Sequence, residues 1–227
     1  QLGAGARLQH LRVVAPEPQD QIAHHLHATL APDAHYAQAL VATDSAYHLQ
    51  RGTLQLHGRG ARAQHAALLL LQGQQIDHQV RSDLQAAHSA SAVESLALAQ
   101  GSARAVSNAY TRIAAGADEA DVRQRLSGIP LGGQPRLTLR PHLEILHDNV
   151  QAAHGATWGA LPADALFYAR QRGLDEASAR ALITEGMARA VLERGLDDSE
   201  LLAQWLASGW LGRRMARQLQ GPTGLTP

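Results

Sequence analysis

The feature that most constrains this chain is a recurrence. Short apolar–polar alternations restart about every 12 to 16 residues over the first two thirds of the sequence, at 6–14, 21–30, 35–43, 47–57, 64–71, 76–84, 92–98, 105–113, 137–146 and 150–158. Each is strand length. Between them stand small or turn-forming residues such as Pro32-Asp33, Thr43-Asp44-Ser45, Gly58-Arg59-Gly60, Gln72-Gly73-Gln74 and Gly116. Such even spacing is compatible with a sandwich, a barrel or a coiled solenoid. Three features favour the solenoid: aromatics make up only 4% of the chain with Phe167 the single Phe, tight Asn-Gly or Asp-Gly hairpin turns are few, and the inward positions are Ala, Leu, Ile and Val. A narrow solenoid lumen is filled by stacked small aliphatics, each coil covering the apolar edge of the next.

Near Leu161-Pro162 the pattern changes to a helical period, which divides the chain into a solenoid core at 1–161, a helical subdomain at 162–220 and a tail at 221–227. A short helix from Ala163 stops at Gly173. Asp175 is placed to cap a second helix that ends before Gly195, with an apolar stripe of Leu182, Ile183, Gly186, Met187, Ala190 and Val191. Asp197-Asp198-Ser199 opens a third, whose stripe is Leu201, Leu202, Trp205, Leu206, Gly209 and Trp210, followed by a basic, frayed tail from Gly212. These helices are expected to cap the last coil.

Composition narrows the chemistry. The chain has no Cys, which removes disulfides, thiolate nucleophiles and Cys-ligated metal from its own repertoire. Its 20 basic residues, all Arg, balance 20 acidic ones, arguing against a nucleic-acid or anionic-membrane partner held by net charge. Neither a bilayer-spanning apolar run nor a signal pattern occurs, so a cytoplasmic location is expected. No Gly-x-Ser-x-Gly elbow and no Walker loop are present.

The run Pro141-His142-Leu143-Glu144-Ile145 leads through His147-Asp148 to Ala152-Ala153-His154-Gly155-Ala156-Thr157. It is followed by Leu166-Phe167-Tyr168-Ala169-Arg170-Gln171-Arg172-Gly173. Together with Ile76-Asp77-His78-Gln79 and the segment from Ser102 to Asn108, this order of motifs resembles the SufB/SufD family of iron–sulfur cluster assembly proteins, from about Gln21 to Gly195. The resemblance implies a mainly β, right-handed parallel β-helix with a C-terminal helical subdomain. It further implies a non-catalytic, SufD-like subunit that pairs with a SufB-like subunit and docks the SufC ATPase, where ATP hydrolysis would reside. It implies no cofactor held stably by this chain alone, only transient iron or a nascent cluster at the SufB interface. A homodimer is expected in isolation, because a parallel β-helix has open edges.

Within that resemblance His154 corresponds to the SufD-type histidine of the His-Gly-Ala-Thr stretch and is the candidate ligand. Ala152 and Ala153 stand where the family often has Cys and Ser, so no thiol-mediated sulfur transfer is expected here. Glu144 and His142 alternate on one strand and could form a metal site or steady a ring, against the competing explanation of a solvated outer ladder. The same outer-ladder explanation is preferred for His24, His25 and His27, and a buried or stacked structural role for His78. Leu166, Phe167, Tyr168, Arg170, Arg172, Met187 and Arg189 are the candidate SufC-docking residues. The rival reading from a different class is a β-helix that binds or cleaves polysaccharide, although paired carboxylates and aromatic rings for a sugar groove are sparse.

Overall fold

In the computed structural model, residues 1–196 and 199–219 are described. Eleven strands are followed by four helices: β1 (Arg7–Val14), β2 (Gln21–Leu30), β3 (His35–Thr43), β4 (Tyr47–Leu56), β5 (Arg62–Leu71), β6 (Gln75–Leu84), β7 (Ala90–Gly101), β8 (Arg104–Ile113), β9 (Ala120–Gly133), β10 (Arg136–Ile145) and β11 (Val150–Trp158), then α1 (Ala163–Gln171), α2 (Glu176–Gly195), α3 (Glu200–Ala207) and α4 (Trp210–Leu219). Odd strands build one parallel sheet in the order β1-β3-β5-β7-β9-β11, and even strands build the other in the order β10-β8-β6-β4-β2. Partners in register range from Gln21↔Tyr47, 26 residues apart, to Arg104↔Arg136, 32 apart. Two strands per coil therefore account for the half-length recurrence in the sequence. The fold is a parallel β-helix of two facing sheets.

The two sheets share a lumen but not an outer environment. Inward residues form two apolar zones, one containing Leu30, Tyr36, Leu54, Leu56, Leu84 and Ile113 and the other Leu40, Leu69, Leu71, Ile76 and Ala97. Outward residues of the even sheet meet water, so β4, β6 and β8 alternate in burial. Outward residues of the odd sheet, including Val41, Leu68, Leu70, Leu96 and Leu98, lie under Val191, Leu192, Leu202, Leu206, Leu211 and Met215 of the helices. Hence β3 and the end of β5 (Ala66-Ala67-Leu68-Leu69-Leu70-Leu71) are continuously buried.

This placement corrects the expected cap. The helices lie across the flank of the central coils rather than over the last one, with α2 against β3, β5 and β7. The buried face of α2 is Ala179, Thr184, Ala188, Val191, Leu192 and Gly195, whereas Leu182 of the expected stripe is 59% exposed. Small residues let α2 come close. A Cβ on Gly195 would stand 2.5 Å from Ala66 Cβ and 2.9 Å from Gln38 O. Asp175 caps α2 by accepting the Ser178 N–H (2.7 Å), as the sequence suggested. The supposed tail from Gly212 is instead part of α4, which Gln218 anchors by donating to Leu71 O (3.1 Å) and Leu98 O (2.7 Å). Asp197, Asp198 and the tail at 221–227 lie outside the described residues.

One strand is absent from the sequence reading. β9 buries Val122, Gln124, Leu126 and Gly128 inward while Arg123 and Arg125 point out. Its inward face includes a glutamine and a glycine, so apolar alternation is too weak to reveal it.

Candidate functional site

At the C-terminal end of the solenoid the coil is left half finished. β11 is the last strand of the odd sheet and β10 the last of the even sheet, so among the described residues β11 meets β10 on one side and no further even strand on the other. All of β11 beyond Val150 is exposed on both faces. Register with β9 assigns its parity: Ala152↔Val122, His154↔Gln124, Ala156↔Leu126 and Trp158↔Gly128 are inward positions. His154 thus occupies a lumen position that nothing covers, and Trp158 on the same side is 68% exposed. The first strand of the odd sheet, β1, shows what continuation does to such a face. It donates inward His10 to the next coil, where Tyr36 Oη lies 2.9 Å from the ring.

His154 is also the last member of an inward column, His10↔Gln38↔His65↔Val93↔Gln124↔His154. The facing column of the even sheet is His24↔Gln50↔His78↔Ser107↔Leu139. Between the two apolar zones these columns make a polar band whose hydrogen-bond directions are mutually fixed. Gln38 Oε1 only accepts, so His65 Nδ1–H donates to it (2.9 Å). His65 Nε2 then accepts from His78 Nε2–H (2.9 Å), and His78 Nδ1 accepts from Ser107 Oγ–H (3.2 Å). Ser107 in turn accepts from Ser95 (2.8 Å). In the neighbouring coil His48 Nδ1–H donates to Thr43 O (2.6 Å), while the Gln50 amide donates to His48 Nε2 (2.7 Å) and His24 Nδ1 (3.0 Å).

These are the directions that neutral rings take, and burial favours the neutral form of each buried imidazole in the band. Desolvation holds His78 down to about 4, and desolvation with the neighbouring His78 and His10 holds His65 well below the usual imidazole value. His78 is buried in β6 and stacked on His65 (centroids 5.1 Å), in line with the buried or stacked structural role expected for it. The band itself was not read from the sequence. Its signal is polar residues at inward parity, which becomes visible only once register is known.

The remaining predicted residues separate into three places. His142 and Glu144 sit on the outer face of β10, the opposite side of the wall from the lumen position of His154. His142 stacks on Tyr110 (5.0 Å), and Glu144 accepts from the Tyr110 hydroxyl and pairs with Arg112 at 3.7 Å. His25 and His27 likewise lie on the outside of β2, bonded to Thr53 (3.2 Å) and Gln55 (2.8 Å), while His24 turns inward to Gln50. Among the described residues no three His, Asp or Glu side chains are grouped as a metal would require.

Of the helical candidates, Leu166 and Met187 pack into the helix–sheet core. Phe167 (65% exposed) and Tyr168 (57%) face outward, with Arg172 over the Tyr168 ring at 3.9 Å and Arg170 exposed nearby. Arg189 is held by Glu185 at 2.9 Å. A groove of about 620 Å³ crosses the outside of β5, β7, β9 and β11, but its carboxylates are engaged: Glu94 by Nε and Nη2 of Arg194 (2.7 and 2.6 Å), Asp121 by Arg123 (3.4 Å).

A two-sheet parallel solenoid flanked by four C-terminal helices defines the structural class of this chain. The family model for the SUF system FeS cluster assembly SufBD core domain matches residues 1–187, and the chain belongs to the SufB/SufD family. The resemblance is to SufD in particular: Escherichia coli "Iron-sulfur cluster assembly protein SufD" is 33% identical over 112 residues, 49% of this chain and 26% of that protein. The Synechocystis "Iron-sulfur cluster assembly SufBD family protein slr0076" is 34% identical over 92 residues (40% of this chain, 20% of that one). "Protein ABCI7, chloroplastic" of Arabidopsis thaliana is 29% identical over 97 residues (43% and 20%). The matched stretches thus span about a fifth to a quarter of these relatives' lengths. Among the described residues no helix is long and apolar enough to cross a membrane.

Proposed function

We propose that this chain is a non-catalytic, SufD-like subunit of a cytoplasmic SUF complex, which joins a SufB-like subunit at the open end of the solenoid and docks a SufC ATPase on its helical flank. The observation that carries the reading is the bare inward face of β11, with His154 and Trp158 at uncovered lumen positions. A strand edge of this kind is satisfied by another chain that continues the sheet. The exposed Phe167, Tyr168 and Leu182 supply apolar area for a second protein contact away from that end.

In this assembly His154 supplies a neutral imidazole to iron or to a nascent cluster, which is cargo rather than a resident cofactor, and the thiolate ligands come from the SufB side. Because α2 and α4 are packed on β3, β5 and β7, force applied to the helices by an ATPase cycle would reach the sheet that ends in β11.

The test is light scattering on a sizing column with this chain, SufB and SufC of the same source, alone and mixed. A stable mixed complex is expected, and His154→Ala should leave it assembled while lowering cluster yield in reconstitution. No mixed species from the folded chain would sink the subunit reading, and an unchanged cluster yield would sink the ligand role.

A further inference from the structure

A second concave site lies on the other side of the molecule from His154's open coil and is unused by the function above. Three successive turns, after β1, β3 and β5, stack to form its floor from Ala15-Pro16-Glu17-Pro18, Thr43-Asp44 and Gln72-Gly73-Gln74. Helix α4 forms its wall. Trp210, Arg213, Arg214 and Arg217 stand at i, i+3, i+4 and i+7, one helical face, and all line this cleft of about 550 Å³. The neighbouring face, Leu211, Met215 and Gln218, is buried on the sheet, and the two Gln218 bonds to β5 and β7 hold the wall in place.

The charges in the cleft are uneven. Its carboxylates are Glu17 and Asp44, and Asp44 Oδ2 already accepts three backbone N–H groups, from Gln72 (2.7 Å), Gly73 (3.0 Å) and Gln74 (2.7 Å). Among the described residues none of the three guanidiniums forms a salt bridge within 4 Å; Arg213 spends one donor on Ser208 O (3.0 Å). Arg214 is half-buried, and among the described residues its Nε, shut off from water, has no hydrogen-bond partner. A charged side chain that is partly desolvated and unpaired is costly, and an oxyanion that pairs with the open end of the Arg214 guanidinium lowers that cost. A merely solvated arginine face would not converge on a concavity or bury a donor in this way. Burial and the adjacent Arg217 charge also pull Arg214 below the usual guanidinium value, with Asp44 opposing.

We propose that this cleft binds a small phosphate-bearing anion of two or more charges, gripped by Arg213, Arg214 and Arg217, with the Trp210 indole as an apolar shelf at its side. Planar guanidinium forks match phosphate oxygens two at a time. Trp210 is braced against Trp205 at 5.6 Å, which leaves a ring edge for any organic group that the phosphate carries.

Isothermal titration of the 227-residue chain at low ionic strength, with chelator present, tests this with inorganic pyrophosphate, ADP and citrate. Saturable pyrophosphate binding that weakens with salt is expected. Arg214→Gln and Arg217→Gln should each weaken it roughly tenfold or more, while Arg140→Gln on exposed β10 should leave it unchanged. ADP tighter than pyrophosphate, with the gain lost in Trp210→Leu, identifies a nucleotide-type ligand; equal affinity identifies the phosphate chain alone. Arg217 is exposed, so its variant folds even if the Arg214 variant does not, and circular dichroism checks both. Absence of saturable binding by both phosphates, binding indifferent to both arginine variants, or citrate binding as tightly as pyrophosphate would overturn the proposal.

Discussion

The two sheets of this solenoid are built from the same coils yet obey different rules of burial. The even sheet is apolar only on its lumen side, and its strands alternate. The odd sheet is apolar on both sides where the helices lie on it, and β3 and β5 run as unbroken buried segments. β11 belongs to the odd sheet and is left exposed beyond Val150: among the described residues no further even strand follows β10 to complete its covering. The contrast teaches where this molecule is finished and where it is not. Beyond Val150 this strand, Gln-Ala-Ala-His-Gly-Ala-Thr-Trp, is exposed on both faces.

The largest effect that separates the two sheets comes from Leu70→Ala, under the helices. It should cost about 2 to 5 kcal/mol in urea unfolding, whereas Thr53→Ala on the watered face of β4 should stay within about 0.5 kcal/mol. Equal losses would mean that the helices add no second core.

Acid should act through the lumen that both sheets share. His78 binds a proton at about pH 4 when folded and at about 6.5 when unfolded, so the unfolded chain takes up more protons over that interval. Stability is then full above about pH 6.5 and declines as pH falls toward 4, by about 3 kcal/mol from this residue alone. Protonation would also put a hydrogen on His78 Nδ1, the atom that now accepts from Ser107 Oγ–H, and so set two donors face to face there. His78→Gln should flatten the decline measured by urea titration across pH; an identical slope would remove His78 as its source.

Smaller still is the tether between α2 and β7. Arg194→Ala breaks a half-exposed pair with Glu94 and should cost about 1 kcal/mol or less, read as a modest shift in thermal midpoint that salt diminishes. Smallest in stability is the open end. Trp158→Ala should change unfolding by less than about 0.5 kcal/mol and yet weaken self-association or SufB pairing on a sizing column. A large stability loss there would show that β11 is part of the finished core after all.

Much of the architecture was legible because it depends on local periodicity. Strand spacing, the start of helices at Pro162 and the Asp175 cap are all consequences of side-chain alternation and unsatisfied backbone donors within a few residues. β9 escaped because Gln124 and Gly128 replace apolar side chains at inward positions, and α4 escaped because its arginines read as a polar tail. The exposed side of α2 was misjudged: Leu182 fits an apolar stripe, but the small residues Ala188 and Gly195 let the other side approach β5 more closely.

His154 was singled out by its motif, and its place at the uncovered rim depends on which strand pairs with which. The same holds for the neutral band of His65, His78 and His48, assembled from residues 13 or more positions apart, or across turns, whose partners follow from register. The amino-acid order is sufficient for the period, the lumen chemistry of small aliphatics and the family. Which flank the helices cover, which end stays open and which arginines converge are long-range outcomes, because they depend on shape fit between surfaces that come into contact only after the coils have stacked.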